Sequence, residues 1–249
     1  MKINVDFDFT TDTPNYWDNY WAGDSLLGHS SIDPDSHSKT LQLYHKTLWS
    51  KPLPNGEKIE LSVGKGAEYL VWNGFRFGSD SICTSFRYKN NKITIEAIAK
   101  DIPDFHKYIE DYVHKSYTIG GSIIFPKQKG GINQSRGCNH YIKDRWDLTL
   151  ECIRRYYNNE DSPLAAVLYN NKDFFDLFVD FKGYIDFFYL QDCVSSDYSK
   201  VNFWLDTKLF ESNPVPQNTQ EYKLWMEHQL SFVMNRNERI KNNYNGSVY

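Results

Sequence analysis

The sequence predicts an α+β fold, with a strand-rich N-terminal half and a helix-rich C-terminal half. Between residues 2 and 125, apolar residues alternate with polar ones or form short apolar runs, as is typical of strands. After Tyr141, apolar residues recur every three to four positions, as on one face of a helix. No internal repeat or clean linker divides the chain, so we expect one domain over residues 1–249, with a frayed tail from about 242 to 249.

Most of the expected strands lie in the first half of the chain. Lys2–Thr10 alternates apolar and polar side chains with a period of two, which predicts a half-buried strand. Two further strands are expected at Ile59–Val63 and Ala67–Trp72, and a buried one at Tyr117–Phe125. A short helix is expected over Thr40–Ser50, because apolar residues recur at helical spacing until Pro52.

The other predicted elements follow from the periodicity of apolar residues and from stop signals. The remaining predicted elements are a helical stretch from Ile93 to Lys115 interrupted at Pro103, the clearest helix at about Tyr141–Tyr157, a Phe-rich helical stretch at Asp173–Gln191 divided at Gly183, a late strand at Val201–Leu205, and a final helix that runs from a capping box of Asn218 and Glu221 to about Lys241.

Composition excludes several classes of protein. The 28 basic and 32 acidic residues give a formal net charge of -4, which disfavours a dedicated nucleic-acid binder. No apolar run reaches the length of a membrane span, and the first residues lead into the strand pattern, so we expect a cytoplasmic protein without membrane contact. The four cysteines lack metal-site spacing and are expected to be free thiols, so no metal is expected. The composition does not indicate a cofactor.

The densest polar grouping is a basic, glycine-rich segment that leads into the helix predicted at Tyr141. An anion is favoured at such a place, because unpaired N–H groups and the helix dipole face it. Asn133, Gln134, Arg136 and Arg145 are therefore candidate phosphate ligands, and Glu151 is a candidate catalytic acid or base. The alternative is a solvated salt-bridge ladder on the helix surface.

Asp6-Phe7-Asp8-Phe9-Thr10 ends the first predicted strand. If the segment is extended, Asp6 and Asp8 point to the same face and could share Mg²⁺ with a phosphate. The string resembles the first motif of the haloacid-dehalogenase phosphatases, which implies Asp6 as the nucleophile and Asp8 as the general acid. The alternatives are thus a Mg²⁺-dependent phosphohydrolase or a strand with a polar outer face.

His45 lies in Leu43-Tyr44-His45-Lys46-Thr47, which resembles the histidine element of the His-Tyr-Glu type of ADP-ribosyltransferases. That resemblance implies that His45 grips the nicotinamide ribose of NAD, with Lys46 standing where a glycine is usual. The alternative is a surface histidine. A nearby segment, Asp33-Pro34-Asp35-Ser36-His37, could supply metal ligands but is better interpreted as a turn, because Asp side chains bond their own backbone.

Whole phrases of the chain resemble a widespread bacterial family catalogued as a domain of unknown function. The phrases are YHKTLWSKPLPNGE, FGSDSI, YTIGGSIIFP, INQSRG, DRWDLTLECIRRYY and DFFDLFVDFKGYIDFFYLQD. The resemblance implies one integral domain, and such proteins are expected among accessory and defence genes. We therefore expect an enzyme that acts on a nucleotide or nucleic acid, such as a defence or toxin effector. A non-catalytic module that docks a protein partner through Trp17 and Trp21 is the remaining alternative.

Overall fold

Strands β1 to β4 form an antiparallel sheet in that spatial order within the described residues. The computed structural model describes residues 2–22, 26–28, 32–65, 68–87, 91–127, 131–137, 141–205, 210 and 215–245. The strands are β1 (Ser62–Val63), β2 (Leu70–Trp72), β3 (Phe75–Ser81) and β4 (Ser122–Pro126). Gly78 of β3 faces Phe125 of β4, so the longest strand is paired along most of its length.

Helices make up most of the rest and carry the C-terminal half. They are α1 (Tyr16–Tyr20), α2 (Pro34–His37), α3 (Lys39–Trp49), α4 (Lys92–Lys100), α5 (Phe105–Ser116), α6 (Ile132–Gly137), α7 (Trp146–Tyr157), α8 (Ala165–Asn170), α9 (Lys172–Asp176), α10 (Phe181–Phe188) and α11 (Thr219–Ile240). Short 3₁₀ turns form at Ile119–Gly121 and Gln191–Cys193, and a π-helical turn at Lys241–Asn245 follows α11. The α+β prediction is confirmed.

The predicted strand over Lys2–Thr10 is wrong. Ile3, Val5 and Phe9 are buried as the alternation requires, but the backbone turns twice instead of extending. Phe7 N–H donates to the Asn4 carbonyl at 3.2 Å, and Asp8 Oδ1 accepts from Thr10 N–H at 2.9 Å. Asn and Asp side chains compete with ladder hydrogen bonds in this way, which period-two burial alone does not reveal.

Other element boundaries shift for local reasons. The strand predicted at Tyr117–Phe125 begins only at Ser122, because Ile119–Gly121 form a 3₁₀ turn. The helix predicted from Tyr141 begins at Trp146. The late strand at Val201–Leu205 is wrong, since Val201 forms only an isolated bridge with Val194.

Helix α11 joins the sheet to the helices of the C-terminal half. Its start is the predicted cap, in which Asn218 Oδ1 accepts from Glu221 N–H at 2.9 Å. Further along, Arg236 is fully buried and donates to the carbonyls of Phe188, Gly120 and Ser122 at 2.8–3.0 Å. One side chain therefore ties α10 and β4 to α11.

A single cluster of buried apolar residues extends from Ile3 to Ile240. It contains the Phe-rich helices α9 and α10. The ring of Phe178, in the link between them, lies 5.4 Å from the ring of Phe188, measured between centroids. Aromatic rings in such a core bury large apolar areas, which explains the aromatic content of 16%. None of the helices in the described residues is long and apolar enough to cross a membrane.

Candidate functional site

Four aspartates gather beside β3, and we call Asp33, Asp35, Asp80 and Asp144 the acidic cluster. Asp33 caps the N-terminus of α2 by accepting from Asp35 N–H at 3.0 Å, as the turn interpretation predicts. Because α2 packs against β3, this turn also carries the Asp35 carboxyl to Ser79 of that strand. Asp33 is exposed and Asp35 is buried, while the side chains of Asp80 and Asp144 are 20% and 11% exposed. The cluster thus runs from solvent into the interior.

A directed chain of hydrogen bonds orients Asp35. Trp49 Nε1 donates to His45 Nδ1 at 2.9 Å, and an indole nitrogen can only donate. His45 must therefore carry its proton on Nε2, which lies 3.0 Å from Ser79 Oγ. Ser79 then donates its own proton to Asp35 Oδ1. Burial, followed by the charge of Arg236, lowers the pKa of His45 to about 3, so the ring stays neutral.

The guanidinium of Arg136 links the deeper members of the cluster. Its Nη1 lies 2.5 Å from Asp80 Oδ2, and its Nη2 lies 3.3 Å from Asp144 Oδ1. Its Nε donates to Thr149 Oγ1 at 2.9 Å, and the side chain is only 1% exposed. Arg136 is therefore held by carboxylates of this chain in the present arrangement.

Burial and the charge of a neighbouring carboxyl raise the pKa of Asp35, Asp80 and Asp144. Burial is the largest cause for Asp35, followed by the charges of Asp33 and Asp80. The neighbouring carboxyls of Asp33 and Asp35 affect each other in opposite directions: Asp35 contributes to lowering the pKa of Asp33, and Asp33 contributes to raising the pKa of Asp35. Burial likewise raises the pKa of Asp80 against the opposing effect of Arg136. Coupled carboxyls of this kind can hold a proton at neutral pH.

Asp144 provides a test of these electrostatics through stability. Burial raises its pKa to about 7, with Arg136 opposing and Asp80 adding to the shift. Because the folded-state pKa lies above the unfolded value, the stabilisation is complete at low pH and is lost as the pH rises to about 7. We expect the stability of the natural protein to fall relative to Asp144→Asn by roughly 1–4 kcal/mol between about pH 4 and pH 8.

Urea denaturation at intervals across that range measures the difference. Asp18→Asn is the matched control, because Asp18 is exposed on α1, and its stability should follow that of the natural protein at each pH. If Asp144→Asn showed the same pH dependence as the natural protein, the elevated pKa would be contradicted.

Tyrosines border the mouth of the acidic cluster. Tyr117 hydrogen-bonds to both Asp33 and Tyr16, and Tyr69 lies close enough to Asp35 for its pKa to be raised, after burial, by that charge. The guanidinium of Arg87 lies over the ring of Tyr20 at 4.1 Å. Half-buried aromatic rings with polar tips, next to carboxyls, form a surface on which a flat polar ligand can lie.

The structure brings two of the sequence-predicted residues to the acidic cluster, His45 and Arg136. His45 lies on helix α3, as the helix predicted over Thr40–Ser50 requires. The alternative, a surface histidine, is wrong, since His45 is fully buried.

Arg145 and Glu151 lie in other ion pairs. Arg145 is fully buried and paired with Asp147, its Nε lying 2.9 Å from Asp147 Oδ1. Glu151 accepts from Arg154 and Arg155 at 2.8–3.0 Å. Asn133 and Gln134 lie on α6, but their side chains fall outside the described residues. A phosphate role for these residues stays a prediction.

Asp6 and Asp8 do not share a strand face. Asp6 is exposed, whereas Asp8 Oδ2 lies 2.6 Å from His114 Nδ1 and also accepts from Thr10 Oγ1. Within the described ranges, no three His, Cys, Asp or Glu side chains are grouped to hold a metal ion.

Trp17 and Trp21 are only half-buried, but both pack on α5. Trp17 contacts the ring of His114, with 4.7 Å between centroids, and Trp21 Nε1 donates to Glu110 at 2.7 Å. These contacts leave less aromatic surface for the docking role than the sequence implied.

Sequence reasoning missed Asp35, Asp80 and Ser79 as site residues. Asp33 and Asp35 carried a signal, two carboxylates flanking a proline, but it was assigned to turn formation alone. Asp80 and Ser79 lie in strand β3, Phe75–Ser81, whose local sequence does not mark a site. Their place in the cluster depends on the residues that pack against that strand.

Comparison with known proteins defines the relationship of the chain. The model of a family described as "Family of unknown function (DUF6994)" matches residues 3–240. Neither a curated protein nor a solved structure matches the chain.

Proposed function

Because the chain belongs to DUF6994, a family of unknown function, no activity comes with its relatives, and we propose one from the acidic cluster. We propose an enzyme that cleaves or transfers at the glycosidic carbon of a nucleoside or nucleotide. The observation that carries the proposal is the neighbouring pair of Asp33 and Asp35 at the start of α2, with Asp35 held by Ser79 and Ser79 in turn in contact with His45.

This pair supplies an acid at neutral pH. One proton resides on the Asp33–Asp35 pair at neutral pH, and Asp33, the member exposed to solvent, transfers it to the leaving group, after which both carboxyls are ionised. Carboxyl groups whose environments separate their protonation states act as acid and base in many hydrolases. Here one carboxyl is enclosed and its partner is open to solvent.

The sign of the local charge favours glycosidic chemistry. The acidic cluster holds four carboxyls, and two of them, Asp80 and Asp144, pair with the guanidinium of Arg136. Glycosidic cleavage passes through a transition state with positive charge at the sugar, which nearby carboxylates stabilise. Acyl transfer develops an oxyanion, which the same carboxylates would destabilise. Asp80, kept next to Arg136, is the carboxylate best placed to remain ionised.

The proposal keeps the predicted nucleotide or nucleic-acid substrate but places the reaction at the acidic cluster instead of the basic segment. Arg136 and Arg145 each already contact a carboxylate, so the recognition that we propose rests on base and sugar, not on phosphate. The half-buried tyrosines at the mouth, Tyr69 and Tyr117, would stack against the base.

Release of free base from adenosine, inosine and NAD, measured by chromatography, tests the proposal. We expect Asp33→Asn and Asp35→Asn to lower the rate about 100-fold, the usual contribution of a general acid. Asp18→Asn, an exposed aspartate on α1, should keep the full rate. Absence of base release by the folded natural protein, or full activity in both cluster variants, would contradict the proposal.

A further inference from the structure

A second pocket, of about 570 Å³, opens between the chain after α3 and the helix α10. We call it the Lys51 pocket. The residues that matter here are Lys51, Pro54, Val179, Lys182, Phe187 and Tyr189. Its volume lies within the usual range for small-molecule sites, and its walls combine apolar rings with a few charges.

Lys51 places a cation at the wall of this pocket, and none of the carboxylates in the described residues pairs with it. Its Nζ donates to the Phe187 carbonyl at 2.6 Å and lies 3.8 Å from the centroid of the Tyr189 ring. An ammonium has three donors, and in the described part of the chain this hydrogen bond uses one of them. Two donors therefore remain for a ligand.

The acidic residues of the pocket have other partners. Asp186 accepts from Lys182, Gln191 and Tyr198. Asp180 caps α10 by accepting from Gly183 N–H at 2.7 Å. Among the described residues, these two carboxylates interact with Lys182 and with the start of α10, and neither forms an ion pair with Lys51.

A second buried cation lies behind Lys51. Arg236 is fully buried and donates to three backbone carbonyls. Its guanidinium lies 5.7 Å from the centroid of the Trp49 ring, which Lys51 Nζ approaches at 5.2 Å. Burial, and then the charge of Arg236, lowers the pKa of Lys51 to about 7. An anion at Lys51 would relieve this repulsion.

We propose that the Lys51 pocket binds a small organic anion, a carboxylate carried on a flat apolar group. The carboxylate takes the two remaining donors of Lys51, and the apolar group packs against Pro54, Phe187 and Tyr189. The exposed apolar side chain of Val179, at the rim, adds to that surface. This site is separate from the acidic cluster and does not depend on the glycosidic activity.

Calorimetric titration with benzoate, and with benzamide as its uncharged analogue, tests the proposal. We expect benzoate to bind at least tenfold more tightly than benzamide. Lys51→Met should lose that preference, Lys51→Arg should keep it because the charge is retained, and Lys58→Met, at an exposed lysine, should leave it unchanged.

Three results would overturn the proposal. They are equal affinity for benzoate and benzamide, an unchanged preference in a folded Lys51→Met protein, and no benzoate binding by the natural protein at millimolar concentration. Because the benzoate and benzamide comparison uses the natural protein, it remains decisive even if Lys51→Met fails to fold.

Discussion

Replacing Arg136 with methionine is expected to lower the free energy of unfolding by about 3–5 kcal/mol. The side chain is 1% exposed and lies between the carboxylates of Asp80 and Asp144. Without it, two carboxyls lose their only described cationic partner, so each must take up a proton or remain buried as an unpaired charge. Urea denaturation followed by circular dichroism measures the change.

A surface arginine on β3 is the matched control. Arg76 forms an ion pair with Glu68 at 2.9 Å, but its side chain is 68% exposed, so Arg76→Met should change stability by less than about 1 kcal/mol. Adding Asp80→Asn to Arg136→Met should recover part of the loss. Equal stability of the Arg136 and Arg76 variants would show that Arg136 is not structural, and would revive its predicted role as a phosphate ligand.

The second large effect is expected at Gly121, where alanine should cost about 3 kcal/mol or more. A Cβ at this position would overlap the carbonyl oxygen of Ser116, at the end of α5. That oxygen belongs to the backbone and cannot rotate away as a side chain would. Gly121 also accepts from Ile82 N–H at 2.8 Å, so a shift would disturb the chain after β3.

Gly78→Ala is the control for Gly121→Ala, because both glycines belong to the sheet region. A Cβ on Gly78 would meet only the side chain of Lys127, at an ordinary 3.6 Å. We expect a change of less than about 1 kcal/mol, since alanine also reduces the entropy of the unfolded chain. Thermal denaturation of both variants gives the comparison, and a tolerated Gly121→Ala would mean that α5 can move away from β4.

Local patterns predicted much of the fold, and their limits follow from the same physics. The periodicity of α7 and the capping box of α11 are local, and both were predicted correctly except for the start of α7. The Lys2–Thr10 segment has the burial pattern of a strand but not its hydrogen bonds, which its Asn and Asp side chains take instead.

The candidate site was less predictable than the fold, because its side chains contact residues that are distant in the sequence. Arg136 was selected for its basic neighbourhood, yet its partner Asp80 lies 56 positions earlier in the chain. A single sequence does not show that this pair exists. The sequence therefore does not reveal that carboxylates of the chain already contact the guanidinium of Arg136. Asp35 was assigned to a turn, correctly, while its contact with Ser79 of β3 depends on how α2 packs.

The hydrogen-bond chain from Trp49 to Asp35 separates the shape of the site from its state of charge. Its donors all point one way, since the indole nitrogen can only donate and His45 stays neutral, with its single proton on Nε2. Asp144 can therefore titrate near pH 7 while the hydrogen bonds that orient Asp35 stay the same. A site built in this manner can respond to pH by gaining or losing protons while its side chains keep their positions.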